Sequence, residues 1–439
     1  MKKINNIEKY VFSVLFLVGL FVLAGLSMKN SLPVLQETVQ KLADHIQELN
    51  TTGYQKTYTA VAGEDSSSEG GIEDAQNVMD AITACLLEID SNISENVYRR
   101  YDWIETYGVL NRVIGKKEVN GFSYALDKNG AYNSVNFWNE VEDTNIRRFS
   151  QQLYLLKQDV EAHGGKMLFM GYPNKYYEKW NSGYKGIPYN GYNSKMDELL
   201  VWNRRYGIDS IDYRELLVDS GLTFEEMFYK TDHHWTGYAA FLAFEELVNH
   251  LNEEYDAGLD EDGYYRNIDN YEVEWHEDMF LGSSGRNVGI SFAGGELEDF
   301  QTVVPKFSGN FTWNGKTGDY TDSVIVDEKL EYEDIYQSDP YAYYLDGVSS
   351  RDTIINHDNP DGLKMFFIRD SFASPIIIDM LPFCSQIDCV WGKYATDEYV
   401  KEMIAEGDYD YVFVGYYTED ILPNFFHFYK NDYMKEQEE

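Results

Sequence analysis

The segment Asp-His-His-Trp at positions 232–235 contains two of the three groups that a Ser–His–Asp site requires. Asp232 lies two residues before His234, so its carboxylate can fold back, orient the imidazole and stabilise it after proton uptake. Asp also caps helices and His often has a structural role, which leaves an ordinary loop as the alternative. The pattern predicts an orienting acid and a base, provided that a nucleophile lies elsewhere in the chain.

A serine that follows an apolar segment is the candidate nucleophile. Positions 364–368 (KMFFI) are typical of a buried strand, and the polar turn Arg369-Asp370-Ser371-Phe372 follows them. A Ser at a strand-to-helix turn projects from the edge of a sheet, where nearby backbone N–H groups can stabilise an oxyanion. An Asp-Ser pair is also common in ordinary turns, so this segment gains its meaning only together with the base.

The elements that must position these residues alternate between short apolar and amphipathic segments. Such alternation predicts an α/β fold, a sheet flanked by helices. The predicted strands are 166–172, 207–212, 364–368, 386–391 and 409–416, and the predicted helices are 145–163, 236–251 and 397–405. Residues 255–344 are acidic, rich in Gly and Tyr and less periodic, so we expect an insertion of loops and short strands there.

The N-terminal part of the chain predicts a membrane anchor. Residues 10–28 contain no charged side chain, and at about 1.5 Å per helical residue they nearly span a hydrocarbon core. Lys2 and Lys3 lie in the preceding segment 1–9, which predicts a cytoplasmic N-terminus and an exported main domain. A cleaved signal peptide is the alternative, but only the weak site at 25–27 supports it.

A stalk and linker are expected at 29–75, before the main folded domain at 76–439. Apolar residues recur at coiled-coil spacing over two heptads, which fits either a coiled coil or an amphipathic helix. These residues are Leu35, Val39, Leu42, Ile46 and Leu49. The polar stretch GEDSSSEGG at 63–71 has linker composition.

Composition excludes several classes of function. The chain of 439 residues has 36 Lys and Arg against 75 Asp and Glu, a net charge of −39 that would repel nucleic acid. It contains no phosphate-binding loop, dinucleotide fingerprint or HExxH segment, so neither a cofactor nor a metal is expected. Cys384 and Cys389 either form a disulfide in an oxidising compartment or are buried apolar residues.

Together these segments resemble the DHHW family and, more distantly, the SGNH hydrolase-like domains of the AlgX and AlgJ type of alginate acetylation proteins. The resemblance covers roughly 96–429, and the motifs that carry it are 231–236 (TDHHWT), 370–372 (DSF) and 173–175 (PNK). In those proteins a DxHW motif supplies the Asp and the base, and a later GxSx turn supplies the nucleophile. The resemblance implies these roles for Asp232, His234 and Ser371.

Six further residues are predicted to line the pocket or the oxyanion region: Asn174, Lys175, Arg369, Phe372, His233 and Trp235. Arg369 departs from the family pattern, which has Gly two residues before the nucleophile. Its side chain would alter the turn, bind a charged ligand or pair with an acidic neighbour. Asn174 and Lys175 either line a pocket at the end of a strand or are solvated turn residues. His233 is a rival base or a structural neighbour.

The resemblance implies O-acyl transfer, with acetyl as the group, to a cell-surface or exported polysaccharide. It also implies a membrane-bound O-acyltransferase as the partner that delivers the acyl group across the membrane. The alternatives are a carbohydrate esterase, which releases the acyl group to water, and a non-catalytic glycan-binding or assembly subunit. An aromatic content of 16% suits stacking on sugar rings but equally suits core packing.

Overall fold

The computed structural model describes residues 96–134 except 122, 146–180, 191–331, 334–430 and 432, together with 25–27, 29–32, 36 and 40. Almost all of the predicted anchor (10–28) and of the stalk and linker (29–75) lies outside these residues. No helix within the described ranges is both long and apolar enough to cross a membrane. The anchor therefore stays a prediction.

The chain divides into two compact units, residues 1–104 and 105–439. In the first unit, the Tyr98 N–H donates to Ser27 Oγ at 3.0 Å. The second unit contains every residue of the predicted site.

The described strands are, in chain order, β1 (Glu118–Val119), β2 (Tyr124–Leu126), β3 (Tyr132–Asn133), β4 (Lys166–Tyr172), β5 (Asp209–Asp212), β6 (Tyr271–Phe280), β7 (Glu298–Pro305), β8 (Phe311–Trp313), β9 (Lys316–Gly318), β10 (Arg351–Asn356), β11 (Leu363–Arg369), β12 (Cys384–Trp391) and β13 (Tyr411–Tyr417). The strands predicted at 166–172, 207–212, 364–368, 386–391 and 409–416 are confirmed as β4, β5, β11, β12 and β13, with shifts of one or two residues at most ends.

The described α-helices are α1 (Arg100–Val113), α2 (Ile146–Ala162), α3 (Gly191–Arg205), α4 (Tyr213–Asp219), α5 (Phe224–Met227), α6 (Gly237–Tyr255), α7 (Ser283–Val288), α8 (Ile290–Ala293), α9 (Tyr320–Ser323), α10 (Ala373–Met380) and α11 (Asp397–Gly407). The short 3-10 helices are Ile268–Asn270, Asp327–Leu330, Pro340–Tyr343, Leu381–Phe383, Gly392–Tyr394, Thr418–Asp420 and Pro423–Phe425. The helices predicted at 145–163, 236–251 and 397–405 are confirmed as α2, α6 and α11.

An eight-stranded sheet forms the centre of the second unit, in the order β5-β4-β13-β11-β12-β10-β8-β9. The first five strands are parallel, and β10, β8 and β9 pair antiparallel. Arg369 of β11 pairs with Gly415 of β13, which pairs with Met170 of β4. The carboxyl ends of these three strands therefore lie side by side, at the edge where α/β sheets bind ligands.

Apolar side chains cover both faces of this sheet because the parallel strands are buried on both sides. Along β11, Phe366 and Ile368 pack on one face in the cluster that contains residues of α2, α3 and α11. Met365 and Phe367 pack on the other face with residues of α4, α6 and α10. The alternation follows the two-residue period of a strand, and burying each such side chain stabilises the fold by roughly 1.5–3 kcal/mol.

The region 255–344 contains the antiparallel ribbon β6–β7 and the strands β8 and β9. The predicted loops and short strands are present, but β8 pairs with β10 and so extends the central sheet. This extension was not predicted, because strands of three residues leave no periodic pattern in the sequence. The region is thus built into the sheet that carries the site.

Candidate active site

Ser371 lies on the turn between β11 and α10, partly exposed at the carboxyl edge of the sheet. The turn is closed by the buried carboxylate of Asp370, which accepts the Phe372 N–H at 2.9 Å and the Tyr417 N–H. Burial raises the pKa of Asp370 to about 7, against the opposing effect of these two donors. The hydrogen bond to Tyr417 fixes the turn to the end of β13.

The Arg369 side chain is buried beneath this turn and does not enter a cleft. Its Nη1 donates to Ser374 Oγ at 2.9 Å and to the Gly347 carbonyl at 3.2 Å, while Nη2 lies 3.4 Å from Asp352 Oδ2. Of the three roles expected for this residue, the structure supports pairing with an acidic neighbour. The turn keeps its form without the family's Gly because the arginine points into the protein and ties β11 to β10.

The predicted base, His234, lies on a loop that is closed at both ends. Phe228 and Trp235 form an isolated antiparallel bridge, and the next residue, Thr236, is the N-cap of α6. Thr236 Oγ1 accepts the Ala239 N–H at 3.2 Å, which caps one of the free donors at the start of the helix. A short hairpin-like loop therefore presents residues 229–234 toward the nucleophile.

Glu298, at the start of β7, holds the middle of the same loop. Its carboxylate accepts the Thr231 N–H at 2.6 Å and also the Lys230 N–H and the Thr231 hydroxyl. Burial raises the pKa of Glu298, and these three donors oppose that shift. Glu298 thus holds the loop 229–234 in place through hydrogen bonds from the region 255–344.

Asp232, His234 and Ser371 form one hydrogen-bonded chain. His234 Nδ1 lies 2.6 Å from Asp232 Oδ1, and His234 Nε2 lies 2.6 Å from Ser371 Oγ. Asp232 also accepts the His234 N–H at 2.9 Å and the Ser283 N–H at 2.7 Å. An ionised Asp232 fixes the proton on Nδ1, which leaves Nε2 as an acceptor for the Ser371 hydroxyl proton.

The environment of Asp232 favours its ionised form. Burial acts to raise its pKa, but His233, His234 and the Ser283 N–H together lower the pKa well below its usual value. Gly282 is required for this contact, because a Cβ at that position would lie 2.2 Å from Asp232 Cβ. The backbone at 282–283 approaches the carboxylate so closely that only Gly fits.

His233 is placed beside the triad rather than in it. Its Nδ1 lies 3.0 Å from Ser283 Oγ, and 36% of its side chain is exposed. Loss of hydration and the nearby His234 lower the pKa of His233, so the ring is neutral near pH 7. Of the two roles expected for this residue, its position fits the structural neighbour.

Tyr341 packs directly on the base. Its ring stacks on that of His234 with centroids 3.6 Å apart and an angle of 9° between the planes. Trp235, fully buried, donates its Nε1–H to the Tyr341 hydroxyl at 3.1 Å and packs against Phe372. Trp235 and Phe372 therefore support the base and the turn from within the core.

Asn174 lies just beyond β4, buried and beside the end of β13. Its Nδ2 donates to Tyr417 Oη at 2.9 Å and to Glu419 Oε1 at 3.0 Å, and its Oδ1 accepts the Tyr176 N–H at 2.7 Å. Lys175, also buried, donates to the carbonyls of residues 229 and 230 at 3.1 and 3.0 Å. Burial lowers the pKa of Lys175. Both residues line a cleft and are not solvated turn residues.

That cleft has a volume of about 340 Å³ and adjoins the edge of the sheet where β4 and β13 end. Its lining residues are Ser123, Tyr124, Tyr132, Asn133, Ser134, Asn174, Lys175, His233, Ser283, Ser284, Tyr417, Glu419 and Asp420. A larger cleft of about 640 Å³ is lined in part by Lys230, Thr231, Trp275 and Glu298. Neither cleft is lined by Asp232, His234 or Ser371. The smaller one is the better candidate for the reacting groups because it is lined by Ser283 and His233, which contact Asp232.

Asp232, His233 and His234 are also the one cluster in the described ranges whose ligand atoms could share a metal ion, since these atoms lie within 4.8 Å of one another. In the structure, the atoms that would bind a metal form hydrogen bonds within the triad and to Ser283. The donor set is therefore arranged for proton transfer. Cys384 and Cys389, whose pairing was left open, are buried free thiols.

Sequence reasoning did not find Gly282, Ser283, Glu298 or Tyr341. The first two lie in the segment GSSG, and Tyr341 lies in the aromatic segment YAYY. Nothing local to these segments indicates a contact with residues 231–234. Only the path of the chain through 255–344 brings them to the base.

Comparison with known proteins places this arrangement in context. Residues 132–272, which include the base loop and Asn174 but not Ser371, match the family described as the SGNH hydrolase-like domain of the acetyltransferase AlgX. No curated protein matches the chain in sequence.

Several solved structures are similar in fold. Bacillus cereus PatB1 with a sulfonyl adduct has a TM-score of 0.54 and 15% identity over 70% of this chain and 97% of PatB1. A further structure of PatB1 has a TM-score of 0.50 and 17% identity, over 64% of this chain and 92% of PatB1. A DHHW family protein from Eubacterium siraeum has a TM-score of 0.49 and 16% identity, over 68% of this chain and 91% of that protein. The fold is similar to that of PatB1, and the resemblance to SGNH hydrolase-like domains of the AlgX type, predicted from three short motifs, is confirmed.

Proposed function

We propose that this chain transfers an acetyl group to a hydroxyl of a cell-surface or exported polysaccharide, with Ser371 as the nucleophile. The observation that carries the proposal is the chain of two 2.6 Å hydrogen bonds from Asp232 through His234 to Ser371. It lies where α/β sheets bind ligands, at the carboxyl ends of β4, β11 and β13. The match to the AlgX acetyltransferase domain supports acetyl as the group.

In the first half of the reaction, Ser371 Oγ attacks the carbonyl carbon of the acetyl donor while its proton passes to His234 Nε2. Asp232 stabilises the resulting imidazolium. The tetrahedral intermediate then collapses: the leaving group of the donor departs with the proton from Nε2, and the acetyl group stays on Ser371 Oγ as an ester. The Ser371 N–H, which has no hydrogen-bond acceptor in the described part of the chain, is free to stabilise the oxyanion.

In the second half, a sugar hydroxyl attacks the acetyl ester while His234 Nε2 accepts its proton. The second tetrahedral intermediate collapses and releases the acetylated sugar, and Ser371 Oγ regains the proton from Nε2. The same intermediate can react with water, which would make the chain an esterase. The outcome depends on whether the sugar or water occupies the acceptor position.

Acetyl-enzyme formation tests the proposal. Wild type should release a burst of p-nitrophenol from p-nitrophenyl acetate and carry a hydroxylamine-sensitive acetyl group on Ser371, whereas Ser371→Ala should do neither. Added oligosaccharide should then receive the acetyl group. Acetyl groups that reach only water would make the chain an esterase, and a folded but inert wild type would favour a glycan-binding or assembly subunit.

A sulfonyl fluoride gives an independent test of the nucleophile. PatB1 carries a sulfonyl adduct in one of its structures. If Ser371 is activated as we propose, phenylmethylsulfonyl fluoride should modify Ser371 and abolish the burst. Peptide mass spectrometry locates the adduct, and His234→Ala should slow its formation. An adduct on another serine with full loss of the burst would contradict the assignment.

The proposal includes an extracytoplasmic site. The apolar segment 10–28 after Lys2 and Lys3 supports export of the domain, and the polysaccharide acceptor is found outside the cell. The acetyl donor would reach this side through a membrane-bound O-acyltransferase partner. Cross-linking in intact cells should capture a polytopic membrane protein next to the N-terminal segment.

A further inference from the structure

The 340 Å³ cleft beside the triad has the lining of a site for hydroxyl groups. One wall comes from the small sheet β1–β3 and its flanks, which contribute Ser123, Tyr124 and Ser134. Ser283 and Ser284 contribute further hydroxyls near His233. Hydroxyl and aromatic groups in a cavity of this size suit one or two sugar rings.

One residue that lines this cleft carries a buried hydrogen-bond acceptor without a partner in the part of the chain that the structure describes. Asn133 lines the cleft with 4% of its surface exposed, and its Nδ2 donates to Asp127 Oδ2 at 2.9 Å. Its Oδ1, by contrast, accepts no hydrogen bond within the described ranges. Buried acceptors are normally satisfied, so Asn133 Oδ1 is suited to accept a hydrogen bond from a ligand.

Two carboxyl groups line the same cleft. Glu419 accepts hydrogen bonds from Tyr417 Oη at 2.7 Å and from Asn174 Nδ2 at 3.0 Å. Asp420, next in the chain, has no hydrogen bond to its carboxylate within the described ranges. Burial raises the pKa of both groups, and the charges of Asp370 and Glu419 raise that of Asp420 further. The cleft is thus rich in carboxyl oxygens that can accept hydrogen bonds, and the Nζ of its one lysine, Lys175, already donates to two backbone carbonyls.

A ligand that donates hydrogen bonds would satisfy these acceptors, whereas an anionic ligand would supply no donor at its charged group and would meet two carboxyl groups. We propose that this cleft binds the acceptor sugar and selects a glycan unit that has hydroxyl or amide groups but no carboxylate or phosphate. Glu419, Asp420 and Asn133 are the residues that determine this specificity. The inference rests on the proposed function.

The test compares two acceptors of equal length at one ionic strength: an uncharged tetramer of N-acetylglucosamine and a tetramer of mannuronate. With p-nitrophenyl acetate as the acetyl donor, we expect kcat/KM for transfer to the uncharged tetramer to exceed that for the mannuronate tetramer by about tenfold or more. Asp420→Asn should reduce that preference to about threefold or less. Equal or better transfer to mannuronate, or transfer to neither acceptor with an intact burst, would overturn the inference.

Two controls keep this inference separate from the proposed function. Glu398→Gln removes the same charge from an exposed position on α11, and it should leave the preference unchanged. If wild type shows no burst, the proposed function fails. Titration calorimetry of Ser371→Ala with each tetramer then tests binding to the cleft independently of catalysis. Binding of the uncharged tetramer but not of mannuronate supports the inference, and the reverse or equal binding refutes it.

Discussion

At the scale of single residues, Asp232 has two tasks that one substitution separates. It accepts the His234 Nδ1–H through one oxygen and the Ser283 N–H through the other. In Asp232→Asn, the oxygen can remain with Ser283, but the amide NH₂ would then face Nδ1 and force the proton onto Nε2. We expect the variant to fold and to lose activity by about 10³–10⁴-fold, measured as the burst rate.

His233→Ala is the matched control for that variant. His233 Nδ1 lies 3.0 Å from Ser283 Oγ and 3.4 Å from Asp232 Oδ1, but His233 is outside the hydrogen-bonded chain from Asp232 through His234 to Ser371, so its removal should lower the burst rate by about tenfold at most. A loss as large as that of Asp232→Asn would make His233 part of the proton path and would contradict the assignment of the base to His234.

Tyr341 is expected to position the base through its ring. Tyr341→Phe keeps the stacking on His234 but leaves Trp235 Nε1 without its acceptor, so we expect a loss of about 1–3 kcal/mol in unfolding free energy with little change in kcat. Tyr341→Leu should lower kcat by about tenfold or more with KM less affected, because the imidazole can then rotate. Equal kcat values for the two variants would show that the stacking does not position the base.

At the scale of elements, the turn between β11 and α10 depends on a buried ion pair. Arg369→Gly restores the residue of the acetylation proteins but leaves Asp352 buried without its cation. We expect a loss of about 3–5 kcal/mol in unfolding free energy, measured by urea denaturation. The double variant Arg369→Gly, Asp352→Asn should recover part of that loss. No recovery would mean that Arg369 stabilises the turn through Ser374 and Gly347 alone.

Helix α6 should make stability depend on pH through Glu245. Burial raises the pKa of Glu245 to about 6, above its value in the unfolded chain. The protonated form therefore favours the fold, and this contribution is lost as pH rises from about 4.5 through 6. Because the side chain is partly exposed, we expect Glu245→Gln to be more stable than wild type by only about 1 kcal/mol at pH 8, and by less at pH 5. A stability difference between Glu245→Gln and wild type that is larger at pH 5 than at pH 8 would contradict a raised pKa for Glu245.

The sequence allowed prediction of those elements whose pattern is local. The apolar segments at 166–172 and 364–368 mark β4 and β11, and the polar turns that follow them carry Asn174 and Ser371. The contact of Gly282 with Asp232 and the stacking of Tyr341 on His234 were not predictable. Each joins residues that lie at least 50 positions apart and depends on shape rather than on periodicity.

At the scale of the whole molecule, the predicted anchor has a direct test. If residues 10–28 hold the chain in the membrane with its domain outside, protease added to intact cells should remove the domain while a cytoplasmic control protein survives. Carbonate extraction should leave the full chain in the membrane fraction. A full-length chain recovered from the cytosol would contradict export, and a soluble mature form that begins near residue 28 would contradict the tether.

The position of β13 between β4 and β11 has a consequence for how this protein is made. Tyr417, at its end, lies 243 positions after its partner Asn174, so a nascent chain that has emerged only as far as α11 has a gap in the middle of its sheet. At about 5–20 residues per second, the chain between the end of β4 (Tyr172) and the end of β13 (Tyr417) takes roughly 12–49 s to synthesise, and during this time β4 exposes an unpaired edge, as β11 does once it has emerged. The parallel sheet therefore cannot close during synthesis of its first strands, and a holding chaperone should bind the chain until residue 417 has left the ribosome.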